Sequence, residues 1–473
     1  MSRNEFNKHP SRIIGIQFSI MSPDEIRKNS VVQITTRDTY INGKPVVGGL
    51  FDPRMGLLEK GFVCPTDGHS YIICPGYFGH IEMARPVLFV QHMKEIIKIS
   101  KSVCYKCSKL LLNKDQHKHI LERSSHERWE YVTNLASKIK RCGESTENGC
   151  GCKQADNISS ESFDKIQATW KNMGRSNNPD EDDRSDVVIR LTPEMLLKIF
   201  RRISDEDIHF MGLSPIYSRP EWMICQVLPV APPAVRPSVK HDAQHRSEDD
   251  LSHIYSNIVK TNSELLDKIQ NNANQNIIDN QTMVLQYLTA MLYNNKVKGA
   301  APMAQRSGRP LNCIQNRLNS KTGRIRGNLE GKRVDQSARS VIGADANLSI
   351  RQLGVPLKIA KNLTKPVVVN DRNRDYLMTL IQNGPDEYPG AKILKRKNGE
   401  SISLRYIDRN SIVLENGDIV ERHMMDGDAV LFNRQPSLHR MSMMCHIVKI
   451  MKKGDTFRIN VGVTKPYNAD QLR

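Results

Sequence analysis

Two clusters of cysteines constrain the fold of this chain more than any other feature. Cys104 and Cys107 are separated by two residues, a gap that lets both thiolates reach one zinc ion across a tight turn. Cys142 and Cys150 offer the second half of a tetrahedral site, and Cys152 competes with Cys150 for the last position. Glycines stand beside the second cluster, as a tight turn requires. The sequence therefore predicts one zinc ion held by four sulfurs.

The overall composition indicates an intracellular protein of the nucleus or cytoplasm. The N-terminal residues lack the apolar core of a signal peptide, and no segment approaches the roughly 18 apolar residues of a membrane span. The ten cysteines are therefore better explained as thiols or metal ligands than as disulfides. A chain of 473 residues is long enough for about two to four domains.

Positive charge is concentrated in one stretch. The chain has a formal net charge of +18, and residues 296–340 hold eleven Lys and Arg against two acids, Glu330 and Asp335. A salt-bridged surface loop is the structural alternative, but clustered cations are typical of proteins that bind nucleic acid. Phosphate contacts that position a strand without reading its sequence are predicted for Arg324, Arg326, Lys332, Arg333 and Arg339.

The order of predicted elements indicates an α+β multidomain fold. Residues 31–35 are β-prone, residues 90–102 have helical spacing, and Thr192 is placed to cap a helix beginning at Pro193 with Met195, Leu196 and Phe200 on its apolar face. Residues 174–187 are predicted to form a solvated loop. Four prolines in residues 229–237 predict an extended connector.

A helical hairpin is predicted after this connector. Ser247 begins a capping-box pattern, and helical spacing over residues 251–269 and 283–292 flanks an Asn-rich turn. Core packing and a projecting arm are both compatible with this pattern. We expect three domains, at residues 1–240, 241–340 and 341–473.

The last of these segments is again β-rich and carries two hairpin-turn patterns, at residues 415–418 and 425–428. The second contains Asp426 and Asp428, which resemble a metal-binding pair. An Asp-Gly turn is the simpler explanation, and we predict that these two acids hold no metal.

Two short strings near the end of the chain resemble the largest subunit of multi-subunit DNA-directed RNA polymerases. The first is Asn433-Arg434-Gln435-Pro436, and about thirty residues later comes Tyr467-Asn468-Ala469-Asp470. Residues 324–339, with Gly149-Cys150-Gly151 and residues 219–223, resemble the same family in the same order. The resemblance implies a zinc-bearing clamp with a helical hairpin, followed by the start of a double-psi β-barrel catalytic domain.

The resemblance also implies roles for individual residues. Arg434 and Asn468 would lie against the sugar of the incoming nucleotide, with Gln435 and Pro436 shaping the loop, and residues 324–339 would touch the template strand. In the family the second string continues as Asn-Ala-Asp-Phe-Asp-Gly-Asp, whose three carboxylates hold the catalytic magnesium. Only the first of them, Asp470, is present here. We expect a separate or spliced continuation to supply the others, and this chain alone to be inactive.

A second zinc pattern of the family is incomplete. Cys64 and Cys74 match it, but Asp67 stands where a cysteine belongs and Tyr77 where a histidine belongs. Carboxylate and imidazole both bind zinc, so His69 or His80 could join Cys64, Asp67 and Cys74. We favour a metal-free fold held by packing.

The main hypothesis is the N-terminal portion of the largest catalytic subunit of RNA polymerase, which uses zinc and magnesium. Its expected partners are the DNA template, the RNA product, the second-largest and other subunits, and the continuation; no membrane is involved. A diverged viral lineage would place it in a virion or viral factory. The alternatives are a non-catalytic, zinc-containing nucleic-acid-binding module and a gene fragment without function.

Overall fold

The computed structural model describes residues 14–16, 18–144, 146, 148–171, 186–242 and 246–469. The chain divides into two compact units, residues 1–331 (unit 1) and 332–473 (unit 2). Most of the loop predicted at residues 174–187 lies outside the described residues. Both units mix helices and strands, as the predicted class requires, while the division into three domains stays a prediction.

The helices of unit 1 within these ranges vary from about two turns to about six turns. They are α1 (Pro23–Asn29), α2 (Met93–Ser102), α3 (Ser125–Ala136), α4 (Pro193–Phe200), α5 (Asp205–Phe210), α6 (Asp250–Gln270), α7 (Gln275–Tyr293) and α8 (Ile314–Asn319). None of the helices in the described parts of the chain is long and apolar enough to cross a membrane.

The strands of unit 1 form two three-stranded sheets, β1-β4-β8 and β5-β6-β7, and two strand pairs, β2-β3 and β10-β9. They are β1 (Ser30–Gln33), β2 (Tyr40–Ile41), β3 (Lys44–Pro45), β4 (Phe78–Leu88), β5 (Asn157–Ser162), β6 (Lys165–Trp170), β7 (Val187–Leu191), β8 (Ile224–Val230), β9 (Val239–Lys240) and β10 (Arg246–Ser247).

The β1-β4-β8 sheet lies at the centre of one hydrophobic core. β4 pairs in parallel with β1, confirming a strand near residues 31–35, and antiparallel with β8. β8 is an edge strand that ends at Pro229-Val230, a position that suits proline because it has no N–H to donate. The extended connector predicted from Pro229 is therefore wrong at its start, since the first two residues continue the strand.

The predicted helical hairpin is present as α6 and α7. Asp249 caps α6 through its carboxylate, whereas Ser247 belongs to β10, so the capping box predicted at Ser247 is wrong. Gln286 on α7 exchanges two hydrogen bonds with the backbone of Leu88 on β4, at 2.6 and 2.9 Å. Asn262 on α6 bonds the β4 backbone twice more, at 2.8 Å each. The hairpin therefore packs on the sheet as part of the core.

A second core of unit 1 surrounds the cysteine clusters. Helices α2 to α5 pack here with the β5-β6-β7 sheet, and α2 confirms the helix predicted in residues 90–102. Thr192 caps α4 as predicted, because its hydroxyl accepts the N–H of Met195. Leu196 and Phe200 are fully buried as predicted, but the Met195 side chain is 43% exposed and does not belong to the apolar face.

Unit 2 contains two sheets, in the orders β11-β19-β12-β18-β17 and β13-β16-β14-β15. Its helices and strands are α9 (Leu357–Asn362), α10 (Arg374–Asn383), β11 (Ile342–Ala344), β12 (Gln352–Pro356), β13 (Thr364–Val368), β14 (Ala391–Lys395), β15 (Ser401–Ser403), β16 (Ile419–His423), β17 (Ala429–Asn433), β18 (Met443–Met451) and β19 (Phe457–Ile459).

Both turns predicted in unit 2 are present, with Gly417 at φ +96° and Gly427 at φ +90°. Neither turn closes a hairpin. The turn at residues 425–428 connects β16 to β17, which belong to different sheets, and the strand before residues 415–418 is β15, which pairs with β14. The turn residues were therefore recognised correctly, but the strand pairing around them was wrong.

Candidate functional site

The first cysteine pair lies on a tight turn that follows α2. Val103 and Leu110 form an antiparallel bridge at its base. Inside it, the N–H of Cys104 donates to the Lys109 carbonyl at 2.9 Å, and the N–H of Ser108 donates to the Cys104 carbonyl at 2.8 Å. Ser108 adopts φ +61°, a left-handed conformation that is unfavourable for a residue with a Cβ. The turn therefore holds Cys104 and Cys107 on one side at some cost in backbone strain.

The second pair repeats this geometry. The N–H of Cys142 donates to the Cys152 carbonyl at 3.0 Å, and the N–H of Gly151 donates back to the Cys142 carbonyl at 2.9 Å. Here the left-handed position, φ +71°, is taken by Gly151, which carries no strain. An antiparallel bridge between Arg141 and Lys153 closes the base.

The two turns bring four sulfurs together. The Sγ atoms of Cys104 and Cys150 are 3.5 Å apart, and those of Cys107 and Cys142 are 3.6 Å apart. All four lie within 4.8 Å of one another. Tetrahedral zinc with Zn–S bonds of about 2.3 Å places its sulfurs about 3.8 Å apart. These four cysteines could therefore hold a metal such as zinc.

The thiols differ in how readily they ionise. Burial raises the pKa of the Cys142 thiol to about 12 and also raises the pKa of Cys107. The exposed Cys150 behaves oppositely, because the backbone N–H of Cys152 lowers the pKa of its thiol to about 7. A metal ligand must be a thiolate, so metal binding has to displace protons from the buried cysteines. Affinity for the metal should consequently fall as pH falls.

Cys152 takes no part in the sulfur group. Its thiol donates to the Tyr105 hydroxyl at 3.0 Å, which leaves Cys150 as the fourth donor. A further participant, Gln154, carries no motif that would have indicated it in advance. Its buried side-chain amide donates to Cys104 Sγ at 3.3 Å and to the Cys152 carbonyl at 2.9 Å. Such bonds orient a metal-binding sulfur and tune its affinity.

The incomplete second pattern also comes together. One ligand atom each from Cys64, Asp67 and Cys74 lies within 4.8 Å of the other two. The hydroxyl of Tyr77 donates to the Asp67 carboxylate at 3.0 Å, as does the backbone N–H of His69 at 2.9 Å. Burial opposes ionisation of Asp67, but hydrogen bonds from the His69 backbone, the Cys74 thiol and the Tyr77 hydroxyl outweigh it and lower the pKa of the carboxyl to about 2.

The two histidines considered for this second group lie differently. The Nδ1 atom of His69 is 3.7 Å from Asp67, within reach of an ion pair. His80 is directed to β1 instead, where its Nδ1 bonds the Ser30 hydroxyl at 2.7 Å. The group could hold a metal through three donors. Because Asp67 already accepts hydrogen bonds from the protein itself, its carboxylate is satisfied without one.

The predicted nucleic-acid residues are exposed. None of them forms an ion pair with another residue in the described ranges, and Arg324 donates only to the amide oxygen of Asn328, at 3.1 Å. Two other cations of the basic stretch differ, since Arg309 and Arg317 are paired with the acids that begin α6, Asp250 and Asp249. Of the five predicted residues, Arg324 and Arg326 belong to unit 1, and Lys332, Arg333 and Arg339 belong to unit 2.

The two strings near the end of the chain meet within unit 2. Arg434 follows β17, and its guanidinium donates to the backbone carbonyl of Tyr467 at 3.3 Å. Asn433 closes the loop that carries Gln435 and Pro436, because its amide donates to the Ser442 carbonyl at 2.9 Å. Gln435 and Pro436 are exposed, and the peptide bond between them is cis.

Asn468 stands next to this contact. It is exposed and adopts φ +51°, a left-handed conformation that asparagine tolerates better than most residues. Arg434 and Asn468 are therefore held near one another, while their common role stays a prediction. Asp470, the predicted magnesium ligand, lies outside the described residues.

The two acids of the Asp-Gly turn have structural partners. Asp428 bonds Arg422 at 2.8 Å and Lys365 at 2.9 Å, and these hydrogen bonds hold the pKa of its carboxyl far below the usual range despite burial. Asp426 accepts the backbone N–H of Ile450 and lies 3.7 Å from Lys449. Their partners are consistent with the prediction that these acids serve the turn.

Comparison with known protein families agrees with the division into two units. The family described as "RNA polymerase Rpb1, domain 1" matches residues 10–329, and "RNA polymerase Rpb1, domain 2" matches residues 331–471. The chain belongs to the Rpb1 family of largest RNA polymerase subunits. A curated Rpb1-family relative, "DNA-directed RNA polymerase subunit Rpo1N" of Sulfolobus acidocaldarius, is 40% identical over 97% of this chain.

This Rpb1-family chain spans about half of that relative, 51% of its length. The resemblance found in short strings is thereby confirmed over nearly the whole chain. The matched ranges correspond to the N-terminal part of the largest subunit and include every cysteine of both groups and both strings of unit 2.

Proposed function

We propose that this chain is the N-terminal portion of the largest catalytic subunit of a DNA-directed RNA polymerase. The reaction it serves is template-directed transfer of nucleotides from ribonucleoside triphosphates to the 3′ end of RNA. The single observation that carries the proposal is the contact between Arg434 and the carbonyl of Tyr467, which joins the two strings expected to bind the nucleotide. Family membership supports the same activity, and neither the non-catalytic module nor the gene fragment is favoured.

Within that activity the two units have different tasks. Unit 1, with its cysteine group and its α6–α7 hairpin, is proposed to be the clamp that closes over nucleic acid. Unit 2 is proposed to begin the double-psi β-barrel of the catalytic domain. The five-stranded sheet β11-β19-β12-β18-β17, in which β12 has a parallel and an antiparallel neighbour, supports a barrel of complex topology.

The nucleotide site is proposed to consist of Arg434, Gln435, Pro436 and Asn468. A guanidinium presents a planar fork of donors to a ribose oxygen, and the exposed side chain of Asn468 can offer both a donor and an acceptor. Asp470 is proposed as one ligand of the catalytic magnesium. Magnesium supplies the charge that stabilises the attacking and leaving oxygens in phosphoryl transfer.

Contacts with DNA and RNA backbones are assigned to the five cations of the basic stretch that the sequence predicted for this role. Because Arg324, Arg326, Lys332, Arg333 and Arg339 are exposed and make no ion pair in the described ranges, their charges are free to meet phosphates. Zinc is assigned to Cys104, Cys107, Cys142 and Cys150 as a structural ion. The group of Cys64, Asp67 and Cys74 is proposed to be held by hydrogen bonds instead.

Other chains are proposed to take part in the reaction. We propose assembly with the second-largest and other polymerase subunits and with a continuation that carries the rest of the magnesium site, in the nucleus or cytoplasm, or in a virion or viral factory for a viral protein. The template DNA and the RNA product complete the set of partners.

Steady-state kinetics of the assembled polymerase tests the nucleotide site. On a primed RNA–DNA scaffold, Arg434→Ala should raise KM for ribonucleotides and lower the preference for ribose over deoxyribose by about tenfold or more, because a charged hydrogen bond is worth about 1.5–3 kcal/mol. Arg405→Ala removes an exposed guanidinium of the same unit that pairs with Asp386, and serves as control. Equal KM and equal sugar preference in the two variants would refute the assignment of Arg434.

A further inference from the structure

Tyr467 stands directly between the two nucleotide strings, yet neither its sequence position nor the proposed function assigns it a role. The side chain is only 1% exposed, and its ring packs edge-on against Phe432 at a centroid distance of 5.2 Å. Its backbone carbonyl points the other way and accepts the guanidinium of Arg434 at 3.3 Å. Tyr467 thus connects the core of unit 2 to the proposed sugar-binding arginine.

The hydroxyl of Tyr467 has a specific buried partner. His446, on β18 and 2% exposed, places Nε2 at 2.8 Å from this hydroxyl. Nδ1 of His446 has no hydrogen-bond partner among the described residues. The contact with Tyr467 is the side-chain hydrogen bond that orients the imidazole, and the backbone of Arg351 also acts on this ring. β18 lies inside its sheet, between β12 and β17, so His446 is carried by a strand that is paired on both sides.

The turn that carries Asn468 depends on the same contact. The N–H of Asn468 donates to the Lys465 carbonyl and that of Ala469 to the Thr464 carbonyl, both at 3.0 Å, so the segment is a closed turn with Tyr467 inside it. A displacement of the Tyr467 ring would shift the partner of Arg434 and the backbone of Asn468 together. Errors of about 0.5–1 Å in such groups are enough to reduce selectivity.

We propose that the buried pair of the Tyr467 hydroxyl and the His446 imidazole positions Arg434 and Asn468 against the nucleotide sugar, and thereby sets the preference for ribose over deoxyribose. The inference rests on the proposed function of Arg434. Tyr467 is a positioning residue here, since its side chain faces the core and only its backbone carbonyl reaches Arg434.

The test compares three variants of the assembled polymerase that carries this chain. Tyr467→Phe removes the hydroxyl and keeps the ring. Tyr388→Phe is the matched control, because it deletes a hydroxyl in the same unit that bonds the Met424 carbonyl at 3.1 Å. Arg434→Ala reports on the sugar site itself. The readout is the ratio of kcat/KM for UTP to kcat/KM for dUTP in single-nucleotide extension.

We expect Tyr467→Phe to lower this ratio about fivefold, the effect of one ordinary hydrogen bond, with an unchanged ratio in Tyr388→Phe. A ratio that falls in Arg434→Ala but stays unchanged in Tyr467→Phe overturns the positioning role alone. The positioning role is likewise overturned if Tyr467→Phe lowers thermal stability without changing the ratio. An unchanged ratio in Arg434→Ala overturns the sugar-site assignment and the inference with it.

A second pair of variants keeps the inference testable if Tyr467→Phe does not assemble. His446→Gln retains a side chain that can hydrogen-bond the Tyr467 hydroxyl, whereas His446→Leu does not. The ratio for UTP over dUTP should remain closer to wild type in His446→Gln than in His446→Leu. Equal ratios in both would show that the imidazole contact does not set the position of the site.

Discussion

Replacement of Cys107 by serine should strongly weaken zinc binding by unit 1, and Cys152, which lies outside the group of four sulfurs, provides a control. Cys107 Sγ lies 3.6 Å from Cys142 Sγ, inside the group of four, whereas the thiol of Cys152 is bonded to the Tyr105 hydroxyl. Cys107→Ser and Cys152→Ser therefore make the same chemical change, the first inside the group of four sulfurs and the second outside it.

The magnitude follows from the number of donors. Structural zinc sites bind with an apparent free energy of about 10–16 kcal/mol at neutral pH, so each of four sulfurs contributes roughly 3 kcal/mol. Loss of one ligand should then weaken binding about 100-fold or more. Because the two turns are tied into the core with α2 to α5, the weakened site should also lower the thermal stability of unit 1.

The assay is zinc occupancy of the purified chain, measured against chelator-buffered free zinc at constant pH. Wild type and Cys152→Ser should each bind one zinc with the same midpoint, and Cys107→Ser should need at least about 100-fold more free zinc. Coincident curves for Cys107→Ser and wild type would refute the four-sulfur site. A large shift in Cys152→Ser would show that this cysteine replaces Cys150 as a ligand.

Further predictions concern stability and nucleic-acid binding. Burial and the nearby lysines lower the pKa of His423 to about 4 from 6.5. The neutral imidazole therefore contributes to the free energy of unfolding above pH ~6.5, and this contribution of up to about 3 kcal/mol is lost as pH falls towards ~4. In His423→Phe, the denaturation midpoints at pH 7 and pH 4.5 should differ less than in wild type, and an equal difference would contradict this. Ser108→Gly should stabilise the zinc-loaded chain by about 1 kcal/mol, because it relieves a left-handed conformation; an unchanged or lower denaturation midpoint would contradict it. Neutralising four cations of the basic stretch should reduce the slope of log affinity against log salt by up to about 0.9 for each phosphate that is no longer neutralised on duplex DNA. The control neutralises four other exposed cations, and equal slopes for the two variants would place the phosphate-binding surface elsewhere. The first set is Arg324, Arg326, Lys332 and Arg333, and the control set is Arg372, Arg405, Lys452 and Lys453.

The parts of the structure that the sequence predicted best are those governed by local chemistry. Cap residues such as Thr192 act within one helical turn, and the spacing of Cys104 and Cys107 encodes a turn that needs no distant partner. The helical hairpin was equally accessible, because its apolar spacing persists over two long segments. Local patterns of this kind do not depend on what packs against them.

Pairing between distant segments was harder to predict. The pattern around Asp426 and Gly427 correctly indicated a turn, but which sheets the flanking strands join depends on residues elsewhere in unit 2. Pro229 suggested a break, yet an edge position in a sheet tolerates it. Both the strand pairing around this turn and the strand position of Pro229 depend on contacts with distant residues, and these contacts cannot be inferred from one sequence.

The candidate sites show the same division. The group of four cysteines was predicted from spacing, and the proposed roles of Arg434 and Asn468 come from the family strings. The residues that support these groups could not be predicted in either way. Gln154 and His446 carry no motif, and each acts through a hydrogen bond to a residue that is distant in sequence. Such supporting contacts become visible only when the chain is folded.

The most direct test of the central claim is RNA synthesis by the complex that contains this chain. Purified from its source through a tag on the chain, the complex should extend an RNA primer on a DNA template with ribonucleoside triphosphates and magnesium. Asp470→Asn should abolish extension, whereas Asp426→Asn, in the turn acid that accepts the Ile450 N–H, should retain it. A complex that does not extend the primer, or one in which Asp470→Asn extends it at the wild-type rate, would contradict the account.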